Sequence, residues 1–503
     1  MSLINLRNLS VVLSENLFEN LNLTLGKTDR IGLVAANGTG KSTLLRVLAG
    51  EAEPTNGDIT MARGLKTGLV SQDVPDHLTP LTLYEAVLSG LDREQAESES
   101  WRVDVVLHEL QVPEALWQRR LCDLSGGWQR VALLSRVWVG EPDVLLMDEP
   151  TNHLDLSRIG IFQHWLTSVA RGTPMIVASH DRAFLDTVST RTLFLRREQP
   201  VVFDLPYSKA RQSLEELDRA AERRFENDLA KANQLRRKAA KLKNIGTNSG
   251  SDLLLSKTKQ LTQRAQKIEN AARPVEAQRP AGKIKLETST AHAKALVTLA
   301  ESGVDIPNGR TLFRLPRLWI NPGDRVVVLG ANGAGKSRLL SKVITALDED
   351  MTNIRVAPSA VPGVSDQSLS QLDRFRTPML AVTQSSSVGD HRARALLAEA
   401  GLHIDLQNRP VSILSGGQRS RLAMLLLRLL KPNLYILDEP TNHLDIGGQE
   451  ALERELLREE TTALLVSHDR TFVRNVGSRF WLIEDKKLRE VETPEAFFEK
   501  QIG

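Results

Sequence analysis

The chain has 503 residues, enough for two to four domains, and its 41% apolar and 25% charged residues are those of an ordinary globular protein. It contains no run of about 18 apolar residues that could span a bilayer. The only cysteine, Cys122, excludes an internal disulfide or a thiolate zinc cage and is expected to be a small buried residue beside a glycine turn.

The opening MSLINLRNLS has no basic stretch followed by an apolar one, so the chain is expected to stay in the cytosol. The run IGLVA then reads as a buried strand, followed by ANGTGKST and the amphipathic helix TLLRVLAG. That order makes a phosphate loop, in which Asn37, Gly38, Thr39 and Gly40 offer backbone N–H groups at a helix N-terminus. Lys41 reaches the terminal phosphates, Thr43 follows, and the Ser42 hydroxyl suits a magnesium ion. Gln72 lies 31 residues after the lysine. In LSGGWQR, Ser125 and Gly127 head a helix as a second anion-binding nest. VLLMDEP is a strand ending in two carboxylates: Asp148 facing the metal, and Glu149 facing a water in line with a γ-phosphate as candidate general base. His180, after the β-rich MIVAS, is a candidate phosphate contact.

After this series the apolar spacing becomes helical. Leu214, Leu217, Ala221, Phe225, Leu229, Ala232, Leu235, Ala239 and Leu242 recur every three or four residues. A helix from Ser213 to Lys243 would be about 45 Å long. NIGTNSGSD is expected to break it, and a return stripe follows at Leu261, Ala265, Ile268, Ala272 and Val275, ended by Pro274 and Pro280. This predicts an antiparallel helical hairpin. The net charge of +3 conceals its character, because residues 207 to 283 hold 18 bases against 9 acids. Six acids lie in residues 213 to 228, whereas 231 to 268 hold ten bases against Asp252 alone. A solvated coiled coil does not require that grading, and it fits contacts to nucleic-acid phosphates that position without reading sequence.

The remaining chain repeats the first series. Gly330, Asn332, Gly333, Ala334 and Gly335 lead to Lys336, Ser337 and Arg338, and Gln367 again follows the lysine by 31 residues. Ser415 and Gly417 in LSGGQRS precede Asp438 and Glu439, with 23 residues from signature serine to aspartate in both halves. His468 follows Glu439 by 29 residues, against 31 in the first series. The metal candidates are therefore Ser42, Gln72 and Asp148 in one half and Ser337, Gln367 and Asp438 in the other. Each phosphate loop already holds its own phosphates, so each LSGG nest needs a nucleotide bound elsewhere. Two halves facing head to tail provide it.

With these motifs the sequence resembles the ATP-binding cassette superfamily, and its paired cassettes, charged linker and TNHLD after each DEP resemble the ABC-F proteins. The resemblance implies an α/β fold of two tandem cassettes, at residues 1–205 and 284–503, joined by a helical hairpin at 206–283. It implies an ATPase using ATP and Mg²⁺, with Gln72, Glu149, His180 and Gln367, Glu439, His468 as catalytic groups. The first site is completed by Ser415 and Gly417 and the second by Ser125 and Gly127, with Asp155 and Asp445 at the seam. It further implies a cytoplasmic partner, the ribosome, whose rRNA and P-site tRNA the hairpin would approach near the peptidyl transferase centre. Antibiotic-resistance and housekeeping members share these motifs. Departures are Ala35 for the leading glycine of the first loop, Arg338 after Ser337, Trp128 in the first signature, and Leu13 where an aromatic would stack adenine. Both sites are expected to bind ATP, with room for unequal rates. A transporter ATPase is the rival that needs a membrane partner; a DNA-associated ATPase is the other, though a basic C-terminal domain is not expected in a chain ending at Gly503.

Overall fold

The computed structural model describes residues 2–13, 16–152, 154–249, 252–271, 282–289, 293–305, 311–349 and 351–502. In the first half the main sheet runs, edge to edge, Thr67–Val70, Val144–Asp148, Met175–Ala178, Arg30–Val34, Arg191–Phe194 and Val201–Phe203, parallel until the last pair. The second half repeats the order as Pro362–Ser365, Leu434–Asp438, Ala463–Val466, Arg325–Gly330, Arg479–Glu484 and Lys487–Val491, and adds Thr311–Leu315 and Ser302–Asp305 at that edge. Apolar clusters pack both faces, which is why Val144, Leu145, Leu146 and Met147 are all buried and read as an unbroken run. A small antiparallel sheet accompanies each half: Ser2–Val12 between Asn16–Gly26 and Asn56–Met61, and Val297–Leu299 between Leu318–Ile320 and Ile354–Val356. Both phosphate loops and both DEP segments thus lie at the carboxyl ends of parallel strands, where open α/β sheets bind ligands.

The halves exchange side chains. Leu156, on the helix Leu156–Ser168 of the first, is buried with Phe497 and Phe498 in the second half's core. Ile446, on Ile446–Leu456 of the second, is buried with Tyr207, Ala210 and Leu214 in the first half's core. Burial of each such side chain contributes about 1.5–3 kcal/mol. At Gly160 the approach is close enough that a Cβ would lie 2.6 Å from the Ile502 backbone.

The linker begins as a helix over Tyr207–Ser249, 43 residues and about 65 Å long, and returns as Asp252–Ala271. The first helix ends at Ser249 and the second starts at Asp252, so the break lies inside NIGTNSGSD as expected, though six residues beyond Lys243. The helix carries Gly246 at a cost of only about 1 kcal/mol against alanine, and the Thr247 hydroxyl donates to Lys243 O at 2.8 Å. Ala232, Ala239 and Ala265 are buried in the hairpin, while Leu217 of the expected stripe is exposed. Arg236 pairs with Glu269 across the hairpin. Ala272, Pro274, Val275 and Pro280 lie outside the described residues. Cys122 is exposed rather than buried: in the short turn Leu121–Asp123 it is Leu121 that enters the core.

Candidate active sites

The first site assembles around Lys41. Its Nζ lies 3.2 Å from Glu149 Oε1 and 2.6 Å from His180 Nε2. The His180 backbone N–H donates to Glu149 Oε2 at 3.1 Å, and the Glu149 N–H to Ala178 O at 2.8 Å. These bonds hold Glu149 at φ 48°, and Glu439 stands at φ 50° in the same place of the second half. A left-handed glutamate is strained, and strain kept at both strand ends marks them as special. Burial works to raise the Glu149 carboxyl, but the Lys41 ammonium and the hydrogen bonds from Lys41 and the His180 backbone N–H hold it below its ordinary value. Burial pushes the His180 imidazole down to about 4, so it stays neutral at physiological pH. Asp148 is raised chiefly by burial; it bonds Ser42, and its Oδ1 is buried without a protein partner. A buried carboxylate oxygen left open beside a hydroxyl is a donor set that fits a hard cation such as magnesium.

The other half closes this site. Ser415, Gly416 and Gly417 line the same cavity of about 400 Å³ as Gly38, Gly40, Lys41, Ser42, Thr43 and Gln72, with Leu13 and Leu17 also on its wall. Asn37 donates its N–H to Asp445 Oδ2 at 3.1 Å and its Nδ2 to His443 O at 3.1 Å. A Cβ on Gly417 would stand 2.9 Å from Asn37 Nδ2. Thr39 turns away into its own loop, donating to Ala36 O at 2.7 Å.

The second site has the same parts in a different state. Lys336 Nζ donates to its own loop, to Gly330 O at 2.8 Å and Ala331 O at 3.2 Å. Gly330 takes φ 157°, whereas Ala35, its counterpart, keeps a negative φ. A side chain resists that backbone turn, and Lys41 contacts Glu149 and His180 where Lys336 bonds its own loop. With Lys336 drawn to the loop, burial pushes Glu439 up to about 8, although the His468 N–H donates to its Oε2 at 3.1 Å. Burial holds His468 down to about 4. Asp438 is raised by burial and bonds Ser337, repeating the cation-fitting pair.

The second cavity, about 630 Å³, is lined by Asn332, Gly333, Gly335, Ser337, Arg338 and Gln367, and from the first half by Gln72, Thr151, Asn152 and His180. Gly330 and Ala334 lie in the loop behind it. Ser125 is exposed at the head of the helix Gly126–Trp138, and neither it nor Gly127 lines this cavity. Asp155 does reach across, its Oδ2 accepting from Asn332 Nδ2 at 3.2 Å.

Sequence reasoning missed the arginines of the two HDR triplets. Arg182 pairs with Glu453 and lies 3.5 Å from Asp469, while Arg470 lies 3.5 Å from Asp181 and 3.4 Å from Gln163. Their repetition was a usable signal; their partners, across the seam, were not.

Among known proteins, the family model described as ABC transporter matches residues 18–152 and 316–442, more than half of the chain. The ATP-binding protein Uup of Escherichia coli K12 is 31% identical over 93% of this chain and 78% of its own length. The ABC transporter F family member 5 of Arabidopsis thaliana is 29% identical, covering 92% and 72%. An archaeal ribosome recycling factor, solved in complex with a ribosomal stalk protein, shares the fold: TM-score 0.64, 20% identity, 98% of this chain and 92% of that one. No helix among the described residues is long and apolar enough to cross a membrane. The chain is therefore an ATP hydrolase that belongs to the ABC-F subfamily of the ATP-binding cassette proteins.

Proposed function

We infer that this ATPase binds the ribosome in the cytoplasm in an ATP-dependent way and acts on translation through its linker, which reaches toward rRNA, the P-site tRNA and the peptidyl transferase centre. The observation that carries the reading is the distal half of the hairpin. All ten bases between Lys231 and Lys267 are exposed there, on a stiff pair of helices joined through alanines. An arm of that charge has little use against a protein core and suits a phosphate backbone.

In this reading Lys41 and Lys336 leave their present partners for the terminal phosphates of ATP. Ser42, Gln72 and Asp148, and Ser337, Gln367 and Asp438, would hold magnesium, which supplies neutralisation of phosphate charge. Glu149 and Glu439 act as general bases toward water, and neutral His180 and His468 contact the γ-phosphate. Ser415 and Gly417 bind the phosphates of the first site from across the seam, and Ser125 and Gly127 those of the second once the cassettes draw closer. Bound ATP favours the closed pair because only that state offers the second set of contacts. Hydrolysis removes that preference and releases the protein.

The test is sedimentation of the Glu149→Gln, Glu439→Gln chain with ribosomes. Co-pelleting that needs ATP, and that falls steeply between about 50 and 200 mM salt, is expected. Pelleting no better than wild type would end the ribosomal reading.

A further inference from the structure

The two signature helices are anchored differently, and the difference points at one site. In the second half, Ser415 and Gln418 satisfy each other: the Gln418 N–H donates to Ser415 Oγ at 3.3 Å and the Ser415 N–H to Gln418 Oε1 at 2.9 Å. In the first half the position of Gln418 is taken by Trp128, which cannot make that return bond, and Ser125 has no side-chain cap. Trp128 instead carries a guanidinium. Arg158 Cζ lies 4.3 Å from the centre of its ring.

Arg158 is the third residue after Asp155, on the helix that leaves the seam. Its N–H donates to Asp155 Oδ1 at 2.9 Å, and its Nη1 lies 4.0 Å from Asp155 Oδ2, the oxygen that accepts from Asn332 in the second phosphate loop. Trp128, Arg158, Asp155 and Asn332 thus form one chain of contacts from the first signature helix to the second ATP site. The other half has no equivalent. Gly448 stands where Arg158 does, its N–H donates to Asp445 Oδ1 at 2.8 Å, and a Cβ there would already lie 3.1 Å from that oxygen.

We propose that Arg158, stacked on Trp128, is a positioning residue for ATP hydrolysis at the second site, fixing Asp155 against Asn332 so that the first signature helix and the seam approach that site as one body. A stacked cation fits the task because it holds orientation through the ring face while its charge stays turned to the carboxylate. The first site gains nothing from this pair, since its partners across the seam are Asp445 and Ser415. The inference rests on the assignment of Glu149 and Glu439 as the two bases.

The test uses the full chain with one site silenced at a time. In the Glu149→Gln chain, which reports the second site, Arg158→Gly or Trp128→Gln should lower kcat about five- to tenfold, with KM for ATP changed less than about twofold. In the Glu439→Gln chain, which reports the first, the same substitutions should leave kcat within about twofold, and Arg158→Lys should restore most of the second-site rate. Equal losses in both backgrounds would mean that the pair merely supports closure or stability, and no loss in either would also overturn the proposal. If Glu149→Gln and Glu439→Gln each left the wild-type rate intact, it is the assignment of the bases that would have failed.

Discussion

The two ATP sites are built from the same motifs at nearly the same spacing, yet they rest in different states. At the first, Lys41 sits among Glu149 and His180, and Ser415 and Gly417 wall the cavity from across the seam. At the second, Lys336 bonds carbonyls of its own loop, burial raises the Glu439 carboxyl, and the cavity is wider and lacks the signature serine. One methyl group, on Ala35 in place of Gly330, coincides with the change of lysine partner. Repetition of a motif therefore repeats a chemical capacity without repeating its resting electrostatics, which depend on neighbours that the motif does not contain.

The comparison can be pressed at several points. The largest effect is expected from removing both bases: Glu149→Gln with Glu439→Gln should lower ATP turnover about 10²- to 10⁴-fold, read by phosphate release. Retention of turnover would remove both glutamates from the chemistry. Next come the seam arginines, which are unequal in the same way as the sites. Arg182→Met leaves the buried Glu453 and the partly buried Asp469 without their cation and should cost about 3–5 kcal/mol of stability. Arg470→Met faces Asp181 and the neutral Gln163 and should cost about 1–3 kcal/mol. Denaturant unfolding of the pair would show the order, and equal costs would mean that the two sides of the seam are equivalent.

A smaller and finer contrast lies in pH. A general base must be ionised to act, so kcat/KM, which reports the free enzyme, should rise with pH through about 8 in the Glu149→Gln chain, where Glu439 does the work. In the Glu439→Gln chain, where Glu149 is held below its ordinary value, no such rise should appear above neutral pH. Matching profiles would show that the two bases titrate alike.

Much of this was legible in the sequence, because motif spacing is set by elements that a fold must place at fixed distances. The strand before each phosphate loop, the DEP carboxylates and the basic hairpin could all be read from apolar period and charge. The misreadings share a cause. The first helix was expected to end at Lys243 but runs to Ser249, because a long helix carries a few turn formers at small cost before the break inside NIGTNSGSD. Cys122 was assigned by residue type, when the choice of which residue in a short turn faces inward belongs to packing. Trp128 was visible as a departure; Arg158, 30 positions away, gains meaning only when two helices bring it over that ring.

The most direct measurement of the inequality is the share of turnover carried by each site at pH 7, from the ATPase rates of the Glu149→Gln and Glu439→Gln chains side by side. An ionised base in a site already closed from across the seam should make the first site the faster, so Glu149→Gln should lose the larger share. Equal losses, or a larger loss from Glu439→Gln, would contradict the account that resting electrostatics set the two sites apart.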